Sequence, residues 1–197
     1  MLYIIRHGET DLNSKHVLQG RSDHELNAKG MEQGKKAGTW LRKEQILFTK
    51  VYSSPLKRAV QTAEYVANDI EIVTDERLIE MDYGPYEGMS LLKPNKEVLK
   101  FFSDFANNPA PDGMEQLSDI VARTGDFVES IRDECSLENV LISTHAIAMK
   151  GILEYLDKNA GGKYWSKNIG NCEIYKVDCT DGVYGTPESI YKIKKLF

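Results

Sequence analysis

Apolar positions along the chain follow two rhythms. Leu2-Tyr3-Ile4-Ile5 and Val140-Leu141-Ile142 are short continuous runs, the pattern of strands covered on both faces of a parallel sheet. Phe48 to Ser53 and Glu71 to Thr74 are further strand candidates, and Glu173 to Asp178 and Ser189 to Ile193 are expected to close the sheet. Between these runs a helical period takes over. Asn27 caps a predicted helix to about Lys43 that carries Met31, Ala37, Trp40 and Leu41. Gly30, Gly34 and Gly38 recur every four residues on one of its faces, which either permits close packing on the sheet or merely softens the helix. Ser54-Pro55 reads as an N-cap followed by proline at the first helical position, ahead of a stripe formed by Leu56, Ala59, Val60, Ala63, Val66 and Ala67. Leu117 to Ile131 reads as a long amphipathic helix, and about Ala146 to Leu156 as another. From Tyr83 to about Met114 the rhythm breaks into Gly, Pro and Asn-Pro punctuation around Val98, Leu99, Phe101 and Phe102, which predicts a surface excursion with one helix inside it.

Strand–helix alternation with no repeat, linker or low-complexity tract predicts an α/β fold. The expected form is a doubly wound, mostly parallel sheet with helices on both faces, in one domain over residues 1–197 with a short lid insertion at about 83–114. Composition narrows the function classes. Thirty acidic against 25 basic residues leave a net charge of -5, which argues against nucleic-acid and anionic-membrane partners. No apolar run approaches the roughly 18 residues of a membrane span, and no basic n-region precedes Leu2, so a cytoplasmic location is expected. Cys135, Cys172 and Cys179 are scattered without a C-x-x-C and read as buried thiols.

In doubly wound sheets ligands bind beyond the carboxyl ends of the strands. Strand one ends in Arg6-His7-Gly8-Glu9-Thr10 and the strand at Val140 runs into His145, so two of the four histidines fall on that edge. The strand at Phe48 leads to Arg58, and the one at Glu71 to Glu80. His16 and His24 lack such a context and read as solvated loop histidines.

Arg6-His7-Gly8-Glu9-Thr10 with Asn13 resembles the opening signature of the histidine phosphatase (phosphoglycerate mutase-like) superfamily. Gln19-Gly20 through Asp23, Leu26 and Gly30 is similar to the segment that follows it there. Ser53-Ser54-Pro55-Leu56-Lys57-Arg58-Ala59 with Gln61-Thr62-Ala63 resembles the second block. Leu78, Glu80, Gly84 and Gly88 resemble the third, and Ser143-Thr144-His145 the fourth. The resemblance implies phosphoryl transfer through a phosphohistidine on His7, with Arg6, Arg58 and a cationic His145 on the phosphate oxygens. It makes Glu80 the candidate acid and base, with Asp82 and Glu87 as nearby alternatives. Asn13 and Gln19-Gly20 are implied phosphate or substrate contacts. Gly8 removes bulk beside the nucleophile and is an implied phosphate or substrate contact too, and the Ala146 N–H, at a helix start, adds a donor. No cofactor is expected, and no His/Asp/Glu cluster suggests a metal. Tyr83, Tyr86, Phe101 and Phe102 read as aromatic packing under the lid rather than as the lining of a substrate pocket.

Two positions depart from the pattern. Ala146 stands where glycine is usual, and Gln116 where serine is common. The reading is therefore a metal-independent phosphomonoesterase of the histidine acid type, acting on a small phosphate ester. A mutase sharing the phosphohistidine is the first alternative, disfavoured because residues 89–114 carry only Lys93, Lys96 and Lys100 and no arginine. A phospho-ligand binding module is the second, disfavoured because His7, Arg58, Glu80 and His145 are all present.

Overall fold

The computed structural model describes residues 1–67, 69–105 and 107–193. Its strands are β1 (Leu2–Arg6), β2 (Lys50–Ser53), β3 (Ile72–Thr74), β4 (Val140–Thr144), β5 (Ile174–Val177), β6 (Cys179–Thr180), β7 (Val183–Tyr184) and β8 (Glu188–Tyr191). Its helices are α1 (Asp11–Ser14), α2 (Ala28–Lys43), α3 (Lys57–Ala67), α4 (Lys96–Ser103), α5 (Leu117–Ser130), α6 (Arg132–Leu137) and α7 (Ala146–Leu156). Six strands form one sheet in the order β3-β2-β4-β1-β5-β8, while β6 and β7 form a separate hairpin. Pairings β3–β2, β2–β4 and β4–β1 are parallel. Strand β5 pairs antiparallel with both β1 and β8.

The continuous apolar runs are explained by covering on both faces. Alternate residues of a strand point to opposite sides. Leu2, Ile4, Val140 and Ile142 join Phe127 and Val128 of α5 with Met149, Ile152 and Leu153 of α7 in one core. Tyr3, Ile5 and Leu141 join Ala37 and Leu41 of α2 with Ala63 and Val66 of α3 in the other. Cutting a fully buried residue such as Ile4 to alanine removes about 2–5 kcal/mol. All three cysteines are buried free thiols. Among the described residues no helix is long and apolar enough to cross a membrane.

Local signals held at α2, where the Asn27 side chain accepts from the Gly30 N–H at 2.8 Å. Its glycine face, however, meets α3 and the loop after β1 rather than the sheet. A Cβ at Gly34 would lie 3.0 Å from the Tyr65 ring, and one at Gly8 would lie 2.6 Å from the Gly30 carbonyl. Helix α3 begins two residues later than Ser54-Pro55 predicts. The Lys57 N–H is capped by Asp23 of a distant loop at 2.8 Å, while the Ser54 hydroxyl accepts from the Leu56 N–H at 3.3 Å and from His145 Nε2 at 2.7 Å. The amphipathic stripe after Leu117 breaks at Ile131, with α6 following as a separate short helix.

Among the described residues, the excursion holds α4 as its one α-helix and packs a third apolar cluster, which includes Met81, Tyr83, Val98, Phe101, Met114 and Trp165. Gln116, where serine is common, clamps the excursion's end. Its side-chain oxygen accepts from the Ala110 N–H and its amide nitrogen donates to the Ala110 carbonyl, both at 3.2 Å.

Candidate active site

Parallel pairing of β1 with β4 sets Arg6 opposite Thr144, so the next residues, His7 and His145, emerge side by side at the carboxyl edge. The His7 N–H donates to the Thr144 carbonyl at 2.9 Å, and the two rings lie 5.1 Å apart. Strand β2, with Ser53 opposite Ser143, delivers Ser54 and then Arg58 in the first turn of α3. After β3 a short 3-10 turn (Glu76–Leu78) leads to Glu80, and the Thr144 hydroxyl ties this segment to β4 through the Leu78 carbonyl at 2.7 Å. The five expected residues Arg6, His7, Arg58, Glu80 and His145 thus converge. His7, Arg58, Glu80 and His145 are at most 3% exposed.

Each ring's proton position follows from its partner. His7 Nδ1 lies 2.6 Å from the Gly8 carbonyl, which only accepts, so Nδ1 carries the hydrogen and Nε2 keeps its lone pair. Burial first, then Arg58 and Arg6, hold the His7 pKa well below the ordinary imidazole value, so the ring is neutral. His145 departs from the expected cation. Arg58 Nε can only donate, and it points at His145 Nδ1 at 3.2 Å, which leaves Nε2–H to donate to Ser54 Oγ at 2.7 Å. Burial and the positive charge of Arg58 hold this pKa well below the usual range too. A buried ring beside guanidinium groups has no cheap way to take on a proton.

Arg58 is less free than a simple phosphate fork would be. Besides His145 it donates to the carbonyls of Ser22 at 2.8 Å and Gly20 at 2.6 Å, so three of its five N–H groups are committed and two remain. Arg6 donates one N–H to the Ile169 carbonyl at 2.5 Å, while its buried Nε has no partner. The other buried side-chain nitrogen without a partner among the described residues is Nε2 of Gln19. Its Oε1 accepts from Thr10 Oγ1 at 2.7 Å and from Asn13 Nδ2 at 3.4 Å. Asn13 Oδ1 accepts from the Thr10 N–H, so Asn13 orients the loop as well as Gln19.

The glycines play a different part from the one expected. Gly8 gives its N–H to Thr62 Oγ1 at 3.0 Å and is small because α2 lies against it. Gly20 gives its N–H to the Glu87 carboxylate, and a Cβ there would strike Met81 and Tyr83. Neither N–H is free for an anion. Ala146 heads α7, and its N–H has no acceptor within the helix.

Of the three nearby carboxylates, only Glu80 is buried in the cluster. Its Oε1 accepts from the N–H groups of Met81 (2.9 Å), Ala148 (3.0 Å) and Ile147 (3.2 Å), at the positive end of α7. Oε2 has only a 3.3 Å contact with the Ile147 N–H. Glu87 instead organises residues 20–22, and Asp82 faces solvent beside Arg21. His16 and His24 are exposed, as expected. Among the described residues no group of three or more His, Cys, Asp or Glu side chains is arranged to hold a metal ion.

The sequence reading missed Asn171, whose side-chain nitrogen donates to the His7 carbonyl at 3.0 Å, and the Ile169 carbonyl. Both arrive because β5 runs antiparallel to β1, which brings the segment before Ile174 to the carboxyl edge. A polar Gly170-Asn171 pair just ahead of a strand was the available signal. Lys150, buried on α7, was also missed.

Comparison with known proteins agrees with this geometry. The profile of the histidine phosphatase superfamily, branch 1, matches residues 2–186. Phosphoglycerate mutase-like protein 4 of Arabidopsis thaliana is 31% identical over 160 residues, covering 78% of this chain and 69% of that protein. Among solved structures, Bacillus stearothermophilus YhfR is 29% identical with a TM-score of 0.81, covering 94% of each chain. The phosphoserine phosphatase of Entamoeba histolytica, solved with 3-phosphoglyceric acid, is 25% identical with a TM-score of 0.79 and covers 96% of this chain and 94% of that one. This chain belongs to the histidine phosphatase superfamily.

Proposed function

We propose that this member of the superfamily is a phosphomonoesterase that hydrolyses a small phosphate ester through a phosphohistidine on His7. The observation that carries the reading is the pairing of a neutral His7, its Nε2 lone pair free, with the unpartnered Nε of Arg6. A buried guanidinium N–H left without an acceptor is costly, and an anion bound beside His7 offsets that cost. Phosphoryl transfer needs little more than an in-line nucleophile, charge on the equatorial oxygens and a proton for the leaving oxygen.

In the first step Nε2 of His7 attacks phosphorus. The P–N bond forms while the ester P–O bond breaks, and its electrons go to the leaving oxygen, which takes a proton from Glu80 Oε2. The Nδ1–H keeps donating to the Gly8 carbonyl throughout and fixes the ring's aim. Arg6, the two uncommitted N–H groups of Arg58, Gln19 Nε2 and the Ala146 N–H hold the three equatorial oxygens. His145 contributes Nε2–H, now turned to Ser54, as a neutral donor, since Arg58 Nε–H occupies its Nδ1. In the second step water attacks phosphorus, Glu80 accepts its proton, and the P–N electrons return to Nε2. General acid–base assistance by Glu80 is worth about 10²–10⁴-fold.

Rapid-quench labelling with p-nitrophenyl phosphate and a panel of alkyl phosphates tests the reading. A phosphohistidine on His7, turnover that His7→Ala lowers by at least about 10⁴-fold, and indifference to EDTA are the expected results. Activity that vanishes on chelation and returns with a divalent ion would overturn the reading. A phosphoenzyme that resists water but transfers to phosphoglycerate would favour the mutase.

A further inference from the structure

We propose that Lys150 is a second anion-recognising group, which reads a carboxylate on the leaving-group side of the phosphate ester. The proposal deepens the phosphomonoesterase reading and rests on it. Lys150 sits one turn along α7 from Ala146 and is buried, with a relative exposure of 7%. Its ammonium donates to the Trp165 carbonyl at 2.7 Å and lies over the Phe105 ring at 5.0 Å. No carboxylate among the described residues forms an ion pair with it. Burial pushes its pKa down to about 8, so near neutral pH the group is still mostly a cation. A buried cation with two of its three donors uncommitted calls for an acceptor from outside the chain.

The space for that acceptor is a cavity of about 360 Å³ lined by Lys150 with Phe102, Asp104, Phe105, Trp165 and Lys167. Asp104 and Lys167 do not answer Lys150. The Asp104 carboxylate is taken by the Asn107 side chain at 2.8 Å, and Lys167 is turned outward over Tyr164. The cavity also lies beside the segment that holds Arg6. Asn168 in its wall precedes Ile169, whose carbonyl holds Arg6, and Lys150 feels the charges of both Glu80 and Arg6. Lys93, Lys96 and Lys100 of the excursion are exposed, so Lys150 is the buried lysine that faces this space. With the phosphoryl group on Arg6 and Arg58, a leaving group that enters between Phe102 and Trp165 presents its far end to Lys150. A carboxylate there gains a charge-assisted hydrogen bond, whereas a hydroxymethyl of the same size gains only a neutral one.

The experiment compares 3-phosphoglycerate with glycerol 3-phosphate, matched in size and differing in the carboxylate. The readout is the ratio of their kcat/KM values, in the native enzyme and in Lys150→Met and Lys150→Arg. A native preference for the carboxylate ester, lowered about 10- to 100-fold in Lys150→Met and largely restored in Lys150→Arg, is expected. Calorimetric binding of the same two esters provides an arm that needs no turnover. A native enzyme that turns over both esters without preference overturns the proposal and leaves the phosphatase reading standing. A preference unchanged in Lys150→Met overturns it as well. Discrimination in binding that disappears in Lys150→Met, with no turnover of any ester, sustains the proposal and sinks the phosphatase reading.

Discussion

At the strand ends, the groups that do chemistry are held by backbone: His7 by the Gly8 and Thr144 carbonyls, Glu80 by three N–H groups around α7, Arg58 by the carbonyls of Gly20 and Ser22. Across the excursion from Tyr83 to Met114, residues 88–91 are still tied by backbone to His16 and Leu18, but around α4 ring-on-ring packing predominates. Phe101, Phe102 and Phe105 contact one another at centroid separations of 4.8–5.4 Å, while Leu92 and Leu99 stand 70% and 57% exposed. Directional bonds to rigid elements fix an atom's position closely, whereas apolar contact tolerates sliding. The difference assigns reaction geometry to the sheet edge and the shape of the substrate to the excursion. Three measurements separate the two regions.

The largest effect is expected at Glu80, inside the anchored region. Glu80→Gln should slow turnover of alkyl phosphates by about 10²–10⁴-fold and p-nitrophenyl phosphate by less, because a nitrophenolate leaves with little protonic help. With the latter substrate, phosphohistidine should accumulate on His7 in a quench experiment. Equal losses for good and poor leaving groups, with no trapped intermediate, would remove the acid role from Glu80.

A smaller loss is expected at Arg123, which joins the two regions. It donates to the carbonyls of Arg77 and Ile79 at 2.7 Å each and pairs with Glu115 at the excursion's end. Glu115 accepts in turn from the Asp82 N–H at 3.1 Å, so the pair grips the chain on both sides of Glu80. Arg123→Met should cost about 10- to 100-fold in kcat for alkyl phosphates, through displacement of Glu80. In a double-mutant cycle with Glu80→Gln the losses should fail to add. Full additivity would make Arg123 a support of the fold alone.

The smallest effect concerns pH. His7 and His145 have folded-state pKa values held below the ordinary 6.5, so the unfolded chain binds protons that the folded one refuses. Their contribution is present above pH 6.5 and is lost as pH falls below it. Urea midpoints should therefore drop on going from pH 7.5 to 5, and less steeply in His7→Gln or His145→Gln. Identical slopes in native and variant proteins would contradict the neutral rings. By the same argument the acid limb of kcat/KM lies below pH 6.5, since free His7 must be neutral to attack.

Hydrophobic rhythm and residue type were enough to place β1, β4, α2 and α7, because a strand buried on both faces and a capped amphipathic helix each leave a local record. The blocks around Arg6-His7, Arg58, Glu80 and His145 were legible for a related reason: each follows a strand or opens a helix, and the carboxyl edge is common to all four. Nothing local distinguishes Glu80 from Asp82 or Glu87, which lie within seven residues of it. Only folding does so, by setting Glu80 against the start of α7 and sending the other two to Arg21 and Gly20. Strand direction is likewise a pairing property. The apolar run at Ile174 reads the same in either direction, and its antiparallel course is what brings Ile169 and Asn171 to Arg6 and His7. Ring tautomers, the Asp23 cap on α3 and the buried charge of Lys150 depend on partners far away in sequence. Periodicity reports what is buried, and a hydrogen bond reports who is there, so the chain alone determined the elements and candidate residues while tertiary contact decided their charge states and aim.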